Sequence, residues 1–205
     1  MTARPAARKP DGFFIALVIV GVFTIGCAWF FRSAVAPGMS NQISKPFPMI
    51  EAVGWINGSA PTAADLQDHV VVIDAWAYWC VPCRGAIPEL ITLHKKYKDR
   101  GVIFLGMTSE GTDPETMEAS RDFVQSLKVP WVNGYGAEKT FSDLHVSTIP
   151  QLWVVNRQNR IVYHELGWVP SSPDEIDRAI AKALNESTQE EQPSGKLSPD
   201  AASEK

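Results

Sequence analysis

The chain opens on its longest apolar run: Phe13 to Phe31 holds 19 residues without a charge. At ~1.5 Å per helical residue this nearly matches a ~30 Å hydrocarbon layer, so the run predicts a transmembrane anchor over residues 13–31. Residues 32–46 are small, polar and Pro-bounded, without periodicity, and read as a linker. Shorter apolar segments follow. Met49 to Ile56 predicts a strand closed by the turn pair Asn57-Gly58, and Pro61 to Asp65 a short capped helical turn. Val70-Val71-Val72-Ile73 has the composition of a strand buried on both faces, continuing to Ala75. Ile87, Leu90, Ile91 and Leu93 form the apolar face of a helix with a basic end at Lys95 to Lys98, stopping near Gly101. Val102 to Met107 reads as a third strand, and Pro114 opens a helix with Met117, Phe123, Val124 and Leu127 on one stripe. Trp131-Val132 reads as a short extended piece, Gly134-Tyr135-Gly136 as a loop, and Glu138 to Leu144 as a helix. Gln151 to Val155 and Ile161 to His164 predict a hairpin, and Pro173 to Leu184 a last helix. Residues 186–205 are almost wholly polar and predict a disordered tail.

Charge gives this layout a direction. Arg4, Arg8 and Lys9 precede the apolar run and Arg32 follows it, which places residues 1–12 in the cytoplasm and everything after Arg32 outside. Two processing alternatives stand beside a retained anchor. Ala34-Val35-Ala36 resembles a signal-peptidase site, and Ile25-Gly26-Cys27 faintly resembles a lipoprotein box. All three readings export the domain. The chain after Arg32 carries 15 Lys and Arg against 22 Asp and Glu, net −7, the wrong sign for a nucleic-acid partner. Of three cysteines Cys27 falls in the apolar run, which leaves Cys80 and Cys83 as one pair with no competing structural bridge.

That pair stands where a strand gives way to a helix. A thiol in the first helical turn feels the positive end of the macrodipole, which favours its thiolate, the nucleophile of disulfide exchange. Cys80 comes first and lies nearer the exposed edge, so it is the expected attacking thiolate, with Cys83, one turn in, as resolving thiol. Zinc is the competing reading, but His69, His94, His145 and His164 show no ligand spacing and no second cysteine pair exists. No metal or cofactor is therefore expected. Asp74 is anomalous: it puts a carboxyl inside an apolar strand, where burial is costly. Its two readings are a carboxylate satisfied by backbone donors and a group of raised pKa that moves the proton of Cys83. Pro82 removes a backbone donor near the sulfurs, and Val81 adds uncharged bulk. Trp79 flanks Cys80 as a candidate for substrate contact; Trp76 reads as packing, and Glu110 and His145 as ordinary surface.

Asp74, Trp76-Ala77-Tyr78-Trp79-Cys80-Val81-Pro82-Cys83, Pro88 within the helix, and Ile149-Pro150 before a strand occur in the order found in thioredoxin-fold proteins. From Phe47 to Leu184 the chain resembles that family, and the long interval before Ile149-Pro150 resembles its membrane-tethered TlpA/ResA branch. The resemblance implies an α/β, thioredoxin-like domain over residues 47–185: a central mixed β-sheet flanked by helices, with a helix-containing insertion before a cis-Pro strand. It implies a redox-active Cys80–Cys83 disulfide, a proton relay at Asp74, and a cis Pro150 that sets the Ile149 backbone beside the sulfurs for an extended substrate segment. Partners would be disulfides or dithiols of exported proteins and a transmembrane electron donor, with reduction the expected direction. Oxidase or isomerase activity, or a non-catalytic binding module, are the alternatives. Two departures stand out. Thioredoxins usually pair the buried Asp with a Lys on the next strand, yet Val102 to Gly111 contains none. TlpA/ResA-like reductases often carry a Glu three positions past the second cysteine, where this chain has Ala86.

Overall fold

The computed structural model describes residues 42–190; the expected cytoplasmic stretch at 1–12, the proposed anchor at 13–31 and positions 191–205 lie outside that range. Among the described residues no helix is long and apolar enough to cross a membrane.

Strand β2 (Val70–Ala75) lies at the centre because each of its residues is apolar enough to be covered, and all six are buried. Parallel to it runs β3 (Val102–Met107), and antiparallel on its other side β5 (Gln151–Val155), which pairs in turn with β6 (Ile161–Leu166). Beyond β3 lie β4 (Val132–Tyr135), parallel to β3, and β1 (Gly54–Ile56), antiparallel to β4. The six-stranded mixed sheet thus has the order β1-β4-β3-β2-β5-β6. Successive side chains of a strand point to opposite faces, so Val70 and Val72 join one core and Val71 and Ile73 the other.

Helices α2 (Val81–Tyr97), α3 (Pro114–Ser126) and α5 (Ser172–Glu190) cover the first face through Leu90, Phe123, Ile176 and Ile180. The second face is covered by the segment around Phe47 and by the end of α4 (Glu138–Asp143), through Leu144, against Trp153 and Leu105. The short α1 (Ala63–Leu66) has the expected cap: Thr62 and Asp65 form a reciprocal capping box. Pro88 lies inside α2, which runs through it, and the Thr92 hydroxyl donates to the Pro88 carbonyl at 3.1 Å.

Four boundaries differ from the sequence reading. Gly134-Tyr135-Gly136 is not simply a loop, because Gly134 and Tyr135 belong to β4. Gly134 pairs with Trp55, whose ring leaves no ordinary room for a Cβ there, so the glycine marks close packing within a sheet. Strand β1 begins at Gly54 rather than Met49, since only Gly54 to Ile56 meet β4. Residues 42–46 are tied into the domain: Ser44 N–H donates to the Ile161 carbonyl at 2.8 Å, and Trp153 Nε1–H to Gln42 Oε1 at 2.6 Å. At the other end α5 continues past Leu184 to Glu190.

Candidate active site

Because β2 and β3 are parallel, the loops that follow them emerge at one edge of the sheet. The loop after β2 carries the cysteines. Cys80 is the N-cap of α2, and its sulfur accepts a hydrogen bond from the Cys83 backbone N–H at 3.2 Å. Pro82 fits this first turn because no intrahelical partner would exist for its missing N–H. Cys80 and Cys83 form a disulfide with Cα atoms 5.3 Å apart. Both cysteines are buried in this state, while Trp79 and Val81, on either side of Cys80, are 59% and 78% exposed. The pair thus lies beneath an uncharged, largely apolar rim that Pro82 extends.

Trp79 is held from the loop after β3: its Nε1–H donates to Glu110 Oε1 at 2.9 Å. Glu110, read from the sequence as ordinary surface, therefore braces the rim residue Trp79 from outside the apolar rim. Its place after the carboxyl end of β3 gains meaning only once β3 is paired parallel to β2. Trp76 packs inside instead, stacked on Phe123 at 4.5 Å and donating to Asn133 Oδ1 at 3.1 Å.

Behind the disulfide, Asp74, Cys83, Ala86, Leu90, Pro150 and Trp168 line a cavity of about 10 Å³. That is room for about one water. Burial is the main influence on the Asp74 carboxyl and pushes it up to about 7; an indole N–H from Trp131 and its own backbone N–H act the other way. Ala86 adds no charge, and Asp74 is the one acidic side chain lining this cavity. A second cavity, of about 340 Å³ and lined by Phe47, Leu66, Val71 and Ile73, lies on the opposite face of the sheet and holds none of these groups.

The Ile149–Pro150 peptide is cis, and Pro150 is buried against the same small cavity while Ile149 is half-buried. Gly167 N–H donates to the Pro150 carbonyl at 2.8 Å, and Gln151 Nε2 to the Thr148 carbonyl at 2.9 Å. Gln151 Oε1 meets His164 Nε2 at 2.9 Å, and the His164 ring stacks on Trp153 at 5.1 Å. Burial lowers the His164 pKa. Sequence residues Asp74, Cys80, Cys83 and Pro150 are thus brought to one place, with Trp79, Val81 and Pro82 on the rim above. Among the described residues no group of three or more His, Cys, Asp or Glu side chains is placed to hold a metal ion.

A family model described as Redoxin matches residues 44–183. The chain is 27% identical over 128 residues to the thiol-disulfide oxidoreductase ResA of Bacillus thuringiensis (strain Al Hakam), spanning 62% of this chain and 70% of that one. It is 30% identical over 160 residues to Protein SUPPRESSOR OF QUENCHING 1, chloroplastic, of Arabidopsis thaliana; the match takes 75% of this chain but only 15% of that protein. Among solved structures, a thiol-disulfide isomerase from Corynebacterium glutamicum superposes with a TM-score of 0.61 at 18% identity, over 71% of this chain and 98% of the other. At that identity the likeness speaks for the fold alone.

Proposed function

The chain belongs to the Redoxin family and is a thiol–disulfide oxidoreductase, and from that premise we propose that it is a membrane-tethered reductase of exported protein disulfides, with Cys80 as its nucleophile. The observation that carries the site assignment is a cysteine N-cap whose partner, Cys83, shares a small cavity with a buried carboxyl near neutrality. In the reduced protein the Cys80 thiolate attacks one sulfur of a substrate disulfide, and a mixed disulfide forms as the first substrate thiolate leaves. Cys83 then gives its proton to ionised Asp74 and attacks the Cys80 sulfur. The second substrate thiolate departs, and two electrons have passed from the pair to the substrate, leaving Cys80–Cys83 oxidised. A carboxyl near 7 suits this transfer because neither protonation state is strongly disfavoured near neutral pH. Trp79, Val81 and Pro82 offer the substrate an apolar landing surface, and the Ile149-Pro150 loop offers backbone groups to an extended segment.

Export and direction rest on the sequence: the apolar run at 13–31 with its basic flank, and the resemblance to a reducing, membrane-tethered branch. An exported reductant in an oxidising compartment must be recharged by a donor that crosses the membrane. The test is to equilibrate residues 42–190 and the full chain in glutathione buffers and to follow insulin disulfide reduction. A pair more reducing than the glutathione pool, with turnover lost in Cys80→Ser, is expected. A pair that oxidises dithiols instead reverses the direction, and no exchange at all leaves a binding module.

A further inference from the structure

The buried Asp74 has no lysine on the neighbouring strand, and the structure shows what stands in that region instead. In the sheet, Asp74 pairs with Gly106 and Gly106 with Asn133, a row across β2, β3 and β4. Gly106 contributes no side chain to that row; a Cβ there would overlap Asn133 Oδ1 and press on Trp76 Nε1. Trp131, two residues before Asn133, packs in the same core as Trp76, Val72 and Cys83. The ring lies against Phe104 at 5.6 Å, the Asn133 side chain donates to the Trp131 carbonyl at 2.7 Å, and the residue is 4% exposed. Its buried indole N–H completes no hydrogen bond of ordinary geometry, yet lies close enough to the Asp74 carboxyl to favour its ionised form. A buried donor without a partner is costly, and an ionised carboxylate nearby would repay that cost.

We propose that Trp131 is the positioning residue for Asp74: its indole N–H, in place of a lysine cation, turns to the carboxylate when Asp74 ionises. The inference rests on reading Asp74 as the proton acceptor of Cys83. A lysine would add a full positive charge and draw the carboxyl far down. A neutral N–H supplies only a dipole, which supports the anion while leaving the group near neutrality, where it can take the thiol proton and later return it. The Trp131 N–H is the one side-chain donor that favours the ionised form. Other titratable groups are few. Cys83 is the other such group on the cavity, and His94 from α2 lies 5.7 Å from the Trp131 ring.

The test uses the oxidised protein, in which neither cysteine titrates. In ¹⁵N spectra the Trp131 indole signal is expected to move with the same midpoint as the ¹³C carboxyl signal of Asp74, and that movement should vanish in Asp74→Asn. Any movement that remains in Asp74→Asn belongs to His94. Trp131→Phe keeps the ring and removes the donor, so the Asp74 midpoint should rise by about one pH unit. The acid limb of mixed-disulfide resolution should rise equally, with KM unchanged. An indole signal blind to Asp74, or an unmoved Asp74 midpoint in Trp131→Phe, overturns the proposal. The spectra of the unaltered protein decide the matter even if the variant fails to fold. The relay is judged separately: Asp74→Asn with an unchanged resolution rate removes that reading, whatever the indole does.

Discussion

A carboxyl held near 7 acts on folding as well as on chemistry. Asp74 rises from an ordinary 3.8 to about 7 in the folded protein. Below the lower value both folded and unfolded chains are protonated there, and no penalty applies. As pH climbs through the window the unfolded chain releases the proton first, so stability falls until the folded carboxyl has ionised too. At ~1.4 kcal/mol per pH unit the loss is on the order of 4 kcal/mol. Asp74→Asn should therefore raise Tm by roughly 8–15 °C at pH 8 and by little below about pH 4. Thermal melts across that range check the sign; a gain confined to acid pH would contradict it. The same substitution should slow turnover near neutrality; a slower rate together with a higher Tm would mark Asp74 as a residue where stability is given up for function. The cysteines divide their labour differently. Cys83→Ser should accumulate mixed disulfides through Cys80, visible as adducts on non-reducing gels, whereas Cys80→Ser should accumulate none. Adducts in the second variant and not the first would exchange their roles. Asp74 could be singled out from sequence because a carboxyl among valines contradicts its surroundings. Trp131 and Glu110 could not, since a Trp beside a strand and a Glu after one are ordinary, and only the pairing of β2, β3 and β4 brings them near the site.

At the scale of elements, glycine misled the reading of β4 and yet explains its packing. Gly134 and Gly136 suggest a loop by composition. In the sheet, the first accommodates the Trp55 ring, and Gly106 on β3 makes room for the Asn133–Trp76 hydrogen bond. Gly106→Ala should thus cost roughly 2–4 kcal/mol, since a buried donor or acceptor loses its partner in a packed row. Denaturation midpoints measure this, and a change near zero would mean that the row can shift. The helices and central strands were legible because their periodicity is set by burial on known faces; β1 was overextended because strand length depends on the partner, and β4 offers only a short one. Glu110 joins the loops after β2 and β3 through an exposed bond worth less than ~1 kcal/mol. Glu110→Ala should leave Tm almost unchanged but release Trp79, raising KM for a protein disulfide about threefold or more and not for a small dithiol. Equal effects on both substrates would remove Trp79 from the landing surface.

For the whole molecule, the basic residues before Phe13 and the net −7 after Arg32 predict an anchored domain outside the cytoplasm. A reporter active only outside the cytoplasm, fused after Glu190, should be active, and the protein should sediment with membranes. A mature N-terminus at Pro37 in the soluble fraction would keep the export and remove the anchor. The last helix gives this topology a consequence in time. Helix α5 covers α2 through Ile176 and Ile180, and Asp177 accepts from Lys96 at 2.7 Å and from the Tyr97 hydroxyl at 2.7 Å. The cover is thus made about 90 residues after Cys83 in the chain. A polypeptide threaded outward from its N-terminus presents both thiols to an oxidising compartment well before that cover arrives. A bridge between residues three apart can close in that interval without waiting for the sheet. New molecules would then finish folding already oxidised, so on the proposed direction the first event in the protein's working life is to receive electrons rather than to give them. Pulse-labelled chains arrested before Ile176 should already carry the Cys80–Cys83 bridge, and free thiols in those chains would place oxidation after folding.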